Sequence, residues 1–75
     1  IEENIFRQEL IVEINKIIEN LPEKFRVPLI LYYLFEQPIG EIAKEIKKPP
    51  GTVKSRLFKG RRLIKKRLEE LGYGK

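Results

Sequence analysis

Residues 39–59 read IGEIAKEIKKPPGTVKSRLFK, and this stretch decides the fold. Ile42, Ala43 and Ile46 share one face of its first half at helical spacing, and Val53 and Leu57 share one face of its second half. Between them, Lys48-Pro49-Pro50-Gly51 must be a turn, because neither proline can continue a helix. Ala43 is small enough for the two helices to cross closely, and Ile42, Ile46, Val53 and Leu57 hold their angle. Two short helices joined in this way form a helix-turn-helix.

Outward from this stretch, punctuation divides the chain into four helical segments. The sequence predicts an all-α, four-helix compact domain over residues 1–75, with helices at about 3–20, 22–35, 39–47 and 50–71. Ile5, Leu10, Ile14, Ile17, Ile18 and Leu21 make an apolar stripe on the first. Pro22 suits the opening of the second, and Glu36-Gln37-Pro38 breaks it. The second segment is apolar on more than one side and is expected to be the most buried, with Tyr32 and Tyr33 as core aromatics. Pro28 inside it predicts a kink, or a helix that becomes regular only after it, since an interior proline costs ~3 kcal/mol or more. Gly72 is expected to cap the last helix. Because the chain starts at Ile1 and not Met, it is expected to be a piece of something longer.

Charge separates the last third from the rest. Residues 1–46 hold five basic residues against nine Glu, a net of −4, whereas residues 47–75 hold eleven against two, a net of +9. No acidic residue lies between Lys47 and Arg67. That asymmetry implies a polyanionic partner for the C-terminal third. The acidic first helix, with Glu2, Glu3 and Glu9, reads as a solvated face, and Glu23 and Glu41 as charges favourable to helix N-termini.

Composition excludes several function classes. The chain has no Cys, Met, Trp or His, so disulfides, thiolate metal sites, a Cys nucleophile and a His base are ruled out. There is no Gly-rich phosphate loop, and no two carboxylates pair across a cleft. An enzyme is not expected, nor a cofactor or a metal. No apolar run approaches the ~20 residues of a membrane span and no signal peptide is evident, so no membrane insertion and a cytoplasmic location are expected.

At ~100° per residue, the last helix sorts into two sides. Val53, Leu57, Gly60, Ile64, Leu68 and Leu71 cluster on one, and Ser55, Lys59, Arg62 and Lys66 on the opposite one. Lys54, Phe58 and Lys65 flank the polar cluster, while Arg56 and Arg67 lie nearer the core seam. The N-terminal end of such a helix can enter a DNA major groove, where Lys and Arg reach guanine edges or phosphates and Ser and Thr reach either. The amides near Thr52 and Val53 are expected to be free for a phosphate oxygen. Phe58 stands between packing on a neighbouring helix and touching a thymine methyl, and Leu63 is assigned to packing in preference to a partner contact.

The order of three blocks adds a resemblance. Leu21-Pro22-Glu23-Lys24-Phe25-Arg26, then Glu41-Ile42-Ala43, then Pro49 with Gly51-Thr52-Val53-Lys54-Ser55-Arg56-Leu57, at this spacing, resemble region 4 of bacterial RNA polymerase sigma factors, most of all the extracytoplasmic-function group. The resemblance covers about residues 10–70. It implies a DNA-binding domain that recognises the promoter −35 element in double-stranded DNA, docks on the β flap of core RNA polymerase, and is held by an anti-sigma factor. Carried over by position, Lys54, Ser55, Phe58 and Lys59 would face bases and adjacent backbone, Thr52 and Arg56 would approach phosphates, and Arg62 and Lys66 would add long-range attraction. Three residues depart from the pattern: Pro38 replaces a polar cap, Gly60 replaces alanine at a cost of up to ~1 kcal/mol, and Lys59 stands where arginine is common, which forfeits bidentate guanine reading. Tyr32 occupies a place where members often carry a backbone-contacting basic residue. Two alternatives stay open. One is the DNA-binding output domain of a response regulator, which shares Glu-Ile-Ala and Thr-Val-Lys. The other is a module that acts mainly by binding an anti-sigma factor.

Overall fold

The computed structural model describes residues 2–73, with side chains from residue 7 onward. Helices α1 (Glu2–Glu19), α2 (Glu23–Tyr33), α3 (Ile39–Ile46) and α4 (Pro50–Glu70) follow one another, and no strand occurs among the described residues. Four helices in this order bear out the all-α architecture. The side chains of Glu2, Glu3 and Ile5 lie outside the described residues.

Prolines set three of the starts. Pro22, Pro38 and Pro49 are the N-caps of α2, α3 and α4, each extended and none making a side-chain capping bond. Each carbonyl instead accepts two amides of the first turn: those of Phe25 and Arg26, of Glu41 and Ile42, and of Thr52 and Val53. Pro22 therefore stands just outside α2, not at its first position. A fixed φ near −65° restricts the unfolded chain and partly offsets the missing polar cap.

The core is small. Leu29, Ile42, Ala43, Val53 and Leu57 form it, with Tyr32, Ile39, Ile46 and Ile64 packed around them. α4 packs against all three other helices, so it is the beam on which the domain is assembled. Burying a Leu, Ile or Val side chain fully contributes about 1.5–3 kcal/mol. Four such side chains are almost completely inaccessible: Leu29, Ile42, Val53 and Leu57.

Three expectations need correction. α2 does not become regular only after Pro28: it runs as one helix from Glu23 to Tyr33 through that residue, which is buried beside Leu29. The missing amide leaves only the Lys24 carbonyl without a helical donor, at an exposed residue in the first turn where water can serve it. α2 also ends at Tyr33 and not Phe35. Leu34 and Phe35 direct their amides back to the Ile30 carbonyl, Glu36 turns left-handed at φ 52°, and both hydrophobic side chains are exposed. Leu71 is not on the buried face: it caps α4 and is 42% exposed. Gly72 follows with φ 93°. The amides of Gly72 and Tyr73 close back on the carbonyls of Glu69 and Leu68, the paired bonds of a glycine C-terminal motif.

Candidate nucleic-acid interface

The turn between α3 and α4 presents the site. Lys47 ends α3 in the left-handed region at φ 58°, ψ 48°, and the Lys48 amide donates to the Ala43 carbonyl. The chain reverses here without a glycine, and Pro49 and Pro50 then open α4. Behind the turn, Ile42 and Ala43 of α3 and Val53 and Leu57 of α4 are all buried together.

That packing leaves the far side of α4 open. Lys54, Ser55, Phe58, Lys59, Arg62 and Lys66 are exposed, and Lys65 with them. Thr52 and Arg56 are half-buried at the edge, where they share a shallow depression with Ser55 and Lys59. Lys59, Arg62 and Lys66 continue along a second shallow groove beside Leu63. The eight residues singled out from the sequence thus lie on one helix, on a surface whose own stretch of chain carries no acid before Glu69, which lines the far end of the second groove. A surface of this kind can hold a polyanion by phosphate contacts while side chains near its N-terminal end reach base edges.

Several local readings change. The amides of Thr52 and Val53 are not free for a phosphate, because both donate to the Pro49 carbonyl, at 3.0 and 3.3 Å. Phe58 does not pack on a neighbouring helix. It is 58% exposed, and the Arg62 guanidinium lies 5.8 Å from its ring centroid. Leu63 lines a groove with Ile17 of α1 and Leu21 of the connection that follows it, while staying partly exposed. Tyr32 packs on the core as expected, but Tyr33 is 53% exposed.

Two cations escaped the sequence reading of the site. Lys24, on the first turn of α2, lines the same depression as Thr52 and Arg56. Arg61 reaches across to the end of α2. Its guanidinium lies over the rings of Tyr32 and Tyr33, and its Nε donates to the Tyr33 hydroxyl. Neither pairing has a signal in local sequence, because both depend on how α2 crosses α4. Among the described residues, no group of three His, Cys, Asp or Glu could hold a metal ion, and no helix is long and apolar enough to cross a membrane.

A helix-turn-helix presenting a cationic helix defines a nucleic-acid-binding domain. Residues 11–64 match the family model for Sigma-70, region 4, and the chain belongs to that family. It is 36% identical over 70 residues to the ECF RNA polymerase sigma factor SigW of Bacillus subtilis, covering 93% of this chain and 37% of that protein. It is 34% identical over 70 residues to the RNA polymerase sigma-H factor of Pseudomonas aeruginosa, covering 93% of this chain and 36% of that one. The chain spans a little over a third of the length of these curated relatives. Region 4 is the −35 recognition domain of sigma factors and is not an enzyme family, so promoter recognition is the function that the family defines. Of the readings left open by the sequence, the sigma-factor domain is the one shown.

Proposed function

We propose that this chain is the −35-reading domain of a longer, extracytoplasmic-function-type sigma factor that directs RNA polymerase to promoters in the cytoplasm. The observation that carries the reading is the exposed face of α4 from Lys54 to Lys66, which is free of acids and held out by the turn at Lys47–Pro49. In this reading Lys54, Ser55, Phe58 and Lys59 meet bases and nearby backbone. Thr52 and Arg56 meet phosphates at the edge. Arg62 and Lys66 raise the local attraction for DNA. Phe58, exposed on the flank of the face beside Lys54, offers an apolar ring to a thymine methyl.

Core RNA polymerase, through its β flap, and an anti-sigma factor are the protein partners of this reading. A small module touches few bases, so binding by the chain alone is weak, and linkage to polymerase supplies the remainder. Selection from a randomised duplex pool tests the reading. The full chain should enrich one short, fixed motif at low salt, and a pool that stays random after repeated rounds would refute it.

A further inference from the structure

We propose that Arg61 is a DNA phosphate contact on the wall of the groove opposite Arg56, held ready for it by Tyr32 and Tyr33. The inference rests on the promoter-recognition reading above. Lys54, Phe58, Arg61 and Lys65 recur at spacings of four, three and four, so they form one stripe along a flank of α4. Thr52 and Arg56 occupy the other flank. A major groove is about 12 Å wide and has a phosphate strand on each side, so a helix lying in it presents one flank to each strand. Arg56 serves one wall. Arg61 stands about two turns, or ~10 Å, beyond Lys54 on the flank facing the other.

The surroundings of Arg61 favour this role. Its guanidinium lies 5.8 Å from the Tyr32 ring centroid and 5.5 Å from that of Tyr33. The two rings are themselves edge-to-face at 5.0 Å and form one aromatic platform. With Nε committed to the Tyr33 hydroxyl, the two terminal amino groups remain to bind an anion as a fork. Among the described residues no carboxylate pairs with Arg61: the ion pairs are Lys16 with Glu13 and Arg67 with Glu70. Arg61 is exposed and Tyr33 half-exposed, so a phosphate oxygen can reach the fork. Stacking has already removed much of the freedom that a surface arginine would lose on binding.

A brace between α2 and α4 would show the same stacking, and salt dependence separates the two. The full chain is titrated with a ~20-bp mixed-sequence duplex over a series of NaCl concentrations, each neutralised phosphate adding about 0.9 to the slope of log affinity against log salt. Arg61→Gln should weaken binding about three- to tenfold at low salt and lower the slope by about one. Arg61→Lys, which keeps the charge, should restore the slope, and Tyr33→Phe should leave it intact while weakening binding less. If Arg61→Gln lowers only the melting temperature and leaves the slope unchanged, Arg61 is a brace and the proposal fails. Lys59→Ala, measured alongside, separates the levels: if it alone changes the slope, only the Arg61 assignment falls, and if neither variant does, the DNA-binding reading falls with it.

Discussion

A Cβ placed on Gly60 would stand 2.8 Å from Leu29 Cδ1 and 3.3 Å from its Cγ. Leu29 is 1% exposed and sits in the centre of the core, so its side chain would have to shift to admit the added methyl group. Gly60 therefore sets how closely α2 approaches α4, and that approach fixes where the cationic face points.

Replacing this glycine tests propensity against packing. Alanine gains up to ~1 kcal/mol of helix propensity, whereas overpacking a filled core costs about 1–3 kcal/mol. Gly60→Ala should lower stability by about 1 kcal/mol, or several degrees in Tm for a domain of this size. A thermal melt followed by circular dichroism checks it, and a raised Tm would mean that the α2–α4 contact relaxes freely.

Lys47 gives the opposite expectation. It holds a left-handed conformation at φ 58° that costs a residue with a Cβ roughly 1–2 kcal/mol. Lys47→Gly should stabilise the domain by about 1 kcal/mol, since glycine is the usual residue just past a helix end. Urea unfolding should show a higher midpoint with an unchanged m-value.

The helices and the helix-turn-helix were legible because prolines and apolar spacing are local signals: Pro38 and Pro49–Pro50 bracket α3, and Val53 and Leu57 repeat at one helical turn. What was not legible came from how helices cross. Gly60 read as a weakness because Leu29, 31 residues earlier, is invisible to local pattern. Tyr33 read as core because α2 is apolar nearly all round, yet the domain has too few helices to cover every side, which leaves Tyr33, Leu34 and Phe35 open. The amides of Thr52 and Val53 read as free because the capping role of the Pro49 carbonyl depends on backbone geometry. For the face of α4 itself, period alone placed Lys54, Ser55, Lys59, Arg62 and Lys66 on the exposed side where the structure has them.

Salt should act in opposite directions on folding and on binding. In α4, Arg61 stands one turn before Lys65 and Arg62 one turn before Lys66, and each like-charge pair at this spacing is destabilising by about 0.2–0.5 kcal/mol. The Arg67–Glu70 pair at 3.5 Å is the only opposing ion pair within α4 among the described residues. Raising NaCl from ~0.05 to ~0.5 M screens this repulsion and should raise Tm by about 2–5 °C. Duplex affinity should fall over the same series. A Tm that falls with salt would contradict the assignment of α4 as self-repelling.

The most direct test of the central claim is binding of Lys54→Ala and Lys59→Ala variants of the full chain to its selected promoter duplex and to single-base variants of it. Both residues are exposed on α4 and neither belongs to the buried core, so the fold should be unaffected. Each substitution should cost about 1–3 kcal/mol on the preferred duplex and flatten discrimination at one position. If both leave affinity and base preference unchanged, α4 does not read the promoter with this face.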